Sequence, residues 1–288
     1  MTSKDNKKNK SVVYRPGSPL RHPKALIFSM GRDILAAREL AWRLFVRNIS
    51  ARYRQTFLGY FWAIFPPLAT TAIWLFLTSQ QVVKIDSVGG SYPVFLITGT
   101  ILWQTFVDAI QLPIRMVSES KSMLAKINFP REALPMAAFV ECCFNTLIRF
   151  LVLGAVYLYM GFTPADTVLL VFLGLLAIIL LGIIFGLFLS PFALIYDDVS
   201  NGLVLFTQIW MYCTPVIYAP SDEGIMGVIN TYNPISPLLI QTRDWMLTGN
   251  TQYLSPAINI FLLSMIGVIF VFMLYRIALP RAIERVGS

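Results

Sequence analysis

Long apolar runs dominate the hydrophobic pattern of this chain. Six of them, at residues 57–77, 94–112, 134–160, 167–191, 202–218 and 258–277, are each long enough to cross about 30 Å of hydrocarbon as a helix. Ahead of the first run, "GRDILAARELAWRLFVRNIS" repeats its apolar residues at helical spacing. At about 100° per residue, Ile34, Leu35, Ala41, Trp42, Phe45, Val46 and Ile49 gather on one face, opposite Arg32, Glu39, Arg43 and Arg47. Arg38 breaks the pattern, and its long stem can snorkel. Such a helix suits the plane of the lipid headgroups, or a soluble partner. Between the fifth and sixth runs, residues 219–255 carry few charges and stay moderately apolar, which suits re-entrant or surface-lying helices better than a solvated loop. The fold class expected is an all-α polytopic membrane protein: six transmembrane helices, an N-terminal amphipathic interfacial helix, and extra helices before the last span.

The polar stretches divide the chain further. Residues 1–31, rich in Lys, Asn, Ser and Pro, read as a flexible cytoplasmic tail. Residues 32–56 form the interfacial helix and a basic anchor, 57–280 the transmembrane domain, and 281–288 a short tail. In the anchor, Arg52 and Arg54 precede an apolar run that contains Tyr60, Trp62, Pro66 and Pro67, the aromatics fitting the headgroup belt and the prolines a kink. The connection after the second run, "RMVSESKSMLAKINFPREALP", holds a short helix ended by Pro130, with Met123, Leu124 and Ile127 close together.

Composition confirms the membrane reading and charge orients it. Of 288 residues, 56% are hydrophobic and 13% charged, against about 25% charged in a soluble domain. Of the 23 Lys and Arg, 13 precede the first run, 4 lie between the second and third, and 3 follow from Arg276. All 20 fall on one side of a six-span chain, so the positive-inside rule places both termini in the cytoplasm. That distribution explains a net charge of +8 without nucleic acid as a partner.

Three ionisable residues lie inside or at the edge of apolar runs: Asp108, Glu141 and Arg149. Their cost in hydrocarbon means that they pair with one another or line a pathway. Cys142, Cys143 and Cys213 lack metal-ligand spacing and read as packing residues. Gly182 and Gly186 have the spacing of a close helix contact. The chain contains no Gly-Lys dipeptide, so no P-loop, and no cofactor or metal is expected on it. Asp197 and Asp198 are a paired-carboxylate motif that could hold Mg²⁺ against a diphosphate, as in a membrane prenyltransferase. That chemistry needs a second acidic cluster on the same side, and the other close acidic pair, Asp222 and Glu223, is expected across the membrane.

Four stretches, "ISARYRQTFLGYFWAIFPPL", "INFPREALP", "TPVIY" and "NPISPLLIQTRDWMLTG", in this order, resemble the permease subunits of bacterial ABC-2-type exporters of surface polysaccharide: O antigen, capsule or teichoic acid. The family often has Arg-Asp-Val where this chain has Asp197-Asp198-Val199, so a contact made by that arginine is in question here. The resemblance implies a homodimer in the bacterial inner membrane. It also implies two copies of a separate ATPase that carries ATP and Mg²⁺, and a polyprenyl-diphosphate-linked polysaccharide as substrate. By the same resemblance, the interfacial helix is a gate helix, and the segment with Ser118, Met123, Leu124 and Ile127 is the coupling helix that meets the ATPase.

Aromatic rings suit a sliding sugar chain, and Trp74, Trp103, Tyr157, Tyr159, Trp210 and Tyr212 are the channel candidates, with packing as the other reading of each. Arg47, Arg52 and Arg54 are candidates for the carrier's diphosphate, with topological anchoring as the other reading. An ATP-independent channel or secondary transporter, or a prenyltransferase built on Asp197 and Asp198, is the alternative function.

Overall fold

The computed structural model describes residues 23–54, 61–80, 91–126, 130–220 and 223–287. These are helical almost throughout: α1 (Pro23–Arg54), α2 (Phe61–Ser79), α3 (Tyr92–Glu119), α4 (Lys121–Lys126) and α5 (Ala133–Tyr159). A 3-10 turn (Asp166–Leu170) leads into α6 (Val171–Ile195), followed by α7 (Asp197–Tyr212), α8 (Gly224–Tyr232), α9 (Ile235–Leu247) and α10 (Leu254–Gly287).

Among the described residues, four segments are long and apolar enough to cross a membrane: α3, α5, the continuous stretch Asp166–Ile195, and α10. The other two expected spans are shorter. The apolar part of α2 is Phe65–Ser79. The 16 residues of α7 rise only about 24 Å, and the chain then turns instead of continuing.

Helix α3 is the axis of the bundle. It is buried along most of its length and packs on α6, α5, α2, α7 and α9. Its closest neighbour is α6, where Gly182 and Gly186 let the backbones meet. A β-carbon at Gly182 would lie 2.5 Å from Ala109 Cβ, and one at Gly186 only 2.4 Å from the Ile110 carbonyl oxygen. The first turns of α3 touch α9, and its last turns touch α1 through Met116, whose Sδ accepts from Asn48 Nδ2 at 2.8 Å. The bundle therefore has an α1/α4 end and an α8/α9 end.

Helix α1 starts at Pro23, inside the stretch expected to be a tail; proline at a first helical position costs no hydrogen bond. The apolar face expected of it splits into two stripes. Ala37, Ala41, Leu44, Phe45 and Ile49 are buried, with Phe45 edge-on to Phe144 of α5 at 5.7 Å between ring centres. Leu35, Trp42 and Val46 remain exposed beside them. Helix α1 thus has one apolar edge packed on the bundle and one left exposed, while Glu39 and Arg43 pair at 2.6 Å on the polar side.

Two helices, α8 and α9, occupy the stretch between α7 and α10 where helices were expected. Helix α8 lies on the surface, with Ile225, Val228 and Tyr232 exposed, whereas α9 is buried along most of its length.

Candidate functional site

A groove of about 570 Å³ opens between α2, α3 and α7. Its aromatic lining is Trp74, Trp103 and Tyr212, with Trp74 and Tyr212 ring centres 6.5 Å apart. Hydroxyl and amide groups alternate with these rings: Thr70 on α2, Gln104 and Gln111 on α3, and Thr207 and Gln208 on α7. Pro66, inside α2, also lines it. None of the lining residues is charged. Rings offer flat apolar faces to a pyranose, and amides and hydroxyls bond sugar hydroxyls in either direction. Without a charge, nothing pins a passing chain at one position.

Three of the six candidate aromatics line this groove and three do not. Trp210 faces the core, edge-on to Phe106 at 5.2 Å and Phe185 at 5.5 Å, and its Nε1 donates to Asn233 Oδ1 at 3.1 Å. Tyr157 is buried against α3, with its hydroxyl 2.6 Å from Thr98 Oγ1. Tyr159 ends α5, almost fully exposed. The glutamines went unnoticed in the sequence, although their signal was there: Gln104 and Gln111 sit two helical turns apart in an apolar run, which puts both on one face.

Behind the groove, α3 and α5 run antiparallel and are joined by a ladder of polar contacts, among them a 3.5 Å contact between the Thr146 and Thr105 hydroxyls. Thr98 meets Tyr157 nearest α9. In the middle, Asp108 Oδ2 accepts from Arg149 Nη2 at 2.8 Å and from Asn145 Nδ2 at 3.0 Å. Nearest α1, Arg115 Nη2 donates to Glu141 Oε1 at 2.5 Å. The three ionisable residues expected to share a network thus divide: Asp108 takes Arg149, and Glu141 pairs with Arg115 instead. Eight residues of separation along α5 put Glu141 and Arg149 about 12 Å apart, while each lies directly opposite a partner on α3. Removing one member of a buried pair strands a charge, at about 3–5 kcal/mol.

At the α8/α9 end, two of the quoted sequence stretches prove to be one piece of structure. Asn233 Nδ2 donates to the Cys213 carbonyl (3.2 Å) and Thr214 Oγ1 (2.8 Å), while its Oδ1 accepts from Trp210. Arg243 Nη1 donates to the carbonyls of Pro215 (2.9 Å) and Val216 (3.3 Å), and its guanidinium lies 3.7 Å from the centre of the Phe95 ring. The "TPVIY" turn is therefore held by the "NPISPLLIQTRDW" helix, and with it the end of α7. Burial lowers Arg243 to about 10, opposed by neighbouring Asp244, so it stays charged at neutral pH. No sequence pattern marked Asn233 or Arg243 as a clamp.

At the α1/α4 end, Leu124 is buried against α10, not turned outward as an apolar knob for a partner. Met123 is half-buried and Ser118 partly so, leaving Lys121 and Ser122 as exposed residues of α4. Ile127 lies outside the described residues. Arg47 is exposed and donates to Asn48 Oδ1 at 3.1 Å. Arg52 and Arg54 continue α1, and their side chains lie outside the described residues. At the same end, Asn48, Ala51, Arg115 and Glu119 line a smaller pocket of about 340 Å³. Arg276 of α10 closes this end, pairing with Asp33 of α1 and with Glu132 at 3.1 Å.

Long apolar helices around a deeply buried axis, with an uncharged aromatic and amide groove on one flank, define a multi-pass membrane protein built for transport. The sequence matches the ABC-2 type transporter family over residues 39–247, and the chain belongs to that family. Among its relatives is the O-antigen export system permease protein RfbA of Klebsiella pneumoniae, 28% identical over 243 residues that cover 81% of this chain and 91% of the relative. A second Klebsiella pneumoniae protein of that name is 27% identical over 214 residues (72% and 80% covered), and one from Myxococcus xanthus is 25% identical over 214 residues (72% and 80%).

Proposed function

We propose that this chain is the transmembrane subunit of an ATP-driven exporter that carries a polyprenyl-diphosphate-linked polysaccharide, O antigen in the first instance, across the bacterial inner membrane. Family membership and the names of the relatives support the class and the cargo. The observation that carries the reading on this chain is the groove between α2, α3 and α7, where aromatic faces alternate with amides and hydroxyls and no charge intervenes.

In this reading two copies of the chain assemble with two copies of a separate ATPase, since this sequence has no P-loop of its own. Both termini are cytoplasmic and α8 and α9 are external, following the basic residues. The ATPase meets α4 through its exposed Lys121 and Ser122. Arg47, Arg52 and Arg54 receive the carrier diphosphate at the inner headgroup level. Asp197 and Asp198 open α7, where carboxylates favour a helix N-terminus; among the described residues no group of three His, Cys, Asp or Glu side chains could hold a metal ion.

Deleting the gene in its host tests the proposal. Surface O antigen should vanish while lipid-linked glycan accumulates inside, and the tagged chain should co-purify with an ATPase. Export that persists without any ATPase would replace this reading with a channel or secondary transporter. For the topology, a cysteine at Asn250 should react with an impermeant reagent on intact spheroplasts and one at Glu284 should not; the reverse would invert the orientation.

A further inference from the structure

The groove between α2, α3 and α7 is uncharged at a depth where charge matters. Its α3 residues run from Trp103 to Gln111, the middle of a helix that extends from Tyr92 to Glu119 and is long enough to span. At that depth an ionised group needs a counter-charge or ample water. Among the described residues the groove supplies no counter-charge of either sign.

The bundle does hold charges at this level, and it keeps them behind the groove. Gln104, Asp108 and Gln111 follow at i, i+4 and i+7, so they share one face of α3. The two glutamines line the groove and Asp108 does not, because its Oδ2 is held from the α5 side by Arg149 Nη2 and Asn145 Nδ2. Arg149 is 3% exposed, and its Nη1 donates to the Gln104 carbonyl at 3.4 Å. Both terminal nitrogens of that guanidinium therefore serve α3, and its charge is not offered to the groove. A carboxylate on a passing sugar would find amides and hydroxyls but no cation, with Asp108 on the same helix face as two of the amides.

Resting on the export reading above, we propose that this groove selects by charge. It passes glycans whose repeat units are neutral and rejects those with a carboxylate or phosphate in every repeat, and Gln104, Gln111 and Gln208 set that preference. An amide matches a sugar hydroxyl as donor or acceptor, whereas a carboxylate brought out of water needs the stronger, charge-assisted bonds of a lysine or arginine. The carrier's diphosphate is one anion per chain, but an acidic repeat meets the same penalty at every step of its passage. Replacing one of the glutamines by lysine supplies the missing cation and should admit acidic cargo.

The test uses the full chain with its ATPase in vesicles, supplied with three undecaprenyl-diphosphate glycans of equal length. One is a neutral hexose polymer. The second is the same polymer with its primary hydroxyls oxidised to carboxylates, and the third is the second after methyl esterification, which removes the charge and keeps the bulk. Each carries biotin at its far end, and ATP-driven transport is read as protection of that biotin from external streptavidin. The neutral and esterified glycans should move at similar rates, and the acidic one at least about tenfold more slowly. Gln208→Lys should raise the ratio of acidic to neutral transport about tenfold, the effect of one charge-assisted hydrogen bond. Gln111→Lys decides in its place if that variant does not assemble. Three results would each overturn the proposal: equal transport of acidic and neutral glycans, an esterified glycan as slow as the acidic one, or a ratio that lysine does not move. Transport of none of the three would overturn the export reading and this proposal together, a result distinct from transport without discrimination.

Discussion

The α3–α6 seam and the α3–α2/α7 flank share one helix and treat it in opposite ways. Toward α6, glycine and small residues bring backbones into contact, and the interface has no room for even one added carbon. Toward α2 and α7, the same helix presents Trp103, Gln104, Val107 and Gln111 to an open groove. Lipid offers no hydrophobic drive for helices to associate, so close packing must hold the seam. The amides on the other flank are tolerable only if water or cargo satisfies them. One side is built to stay shut and the other to be filled. In the proposed reading, stability and transport lie on separate faces of α3, and substitutions should separate them.

The largest loss of stability is expected at the middle rung behind the groove. Arg149→Met strands Asp108 and should cost about 3–5 kcal/mol in thermal unfolding in detergent. Adding Asp108→Leu should recover much of it. If the double variant also exports, the pair is a structural brace; if it is stable and does not export, the pair belongs to the pathway.

Gly186→Leu comes next. Its first added carbon would sit 2.4 Å from a backbone oxygen, so the seam must open, at about 3 kcal/mol, seen as aggregation in size-exclusion chromatography. A monodisperse variant of normal stability would mean that the seam is looser than described. At the α9 clamp, Asn233→Ala removes the partners of Trp210 and Thr214 and should cost about 1–3 kcal/mol in the same unfolding assay. Replacing Gln208, an exposed residue of the groove, should change stability by less than about 0.5 kcal/mol.

Much of this architecture was legible from periodicity alone. The four long spans, the amphipathic first helix, the short helix before Pro130 and the helices before α10 all follow from where apolar residues recur. What depends on docking was not. The α1 residues from Ile34 to Ile49 read as one apolar face because a helical wheel cannot tell which apolar side chains the bundle will cover; the structure buries Phe45 and leaves Trp42 exposed. Leu124 counted among the residues of the coupling segment, and only the passage of α10 beside that short helix reveals that it is buried. Glu141 and Arg149 shared a helix in the sequence, and only the register of α5 on α3 reveals that each has its partner across the interface. Of the groove, the aromatic half was anticipated in part and the amide half was not, since glutamine carries no charge to draw notice in an apolar run.

The central claim is that the cargo passes through the groove between α2, α3 and α7. A cysteine at Gln208 offers the most direct test, because it faces that groove and leaves the seam, the rungs and the clamp untouched. In cells lacking other reactive cysteines, modification with a bulky maleimide should stop the appearance of O antigen at the surface. Lipid-linked glycan should then build up behind the block, with the complex still assembled and its ATP hydrolysis still measurable. Unimpaired export through a fully modified protein would contradict the account and send the search for the path to another face of the bundle.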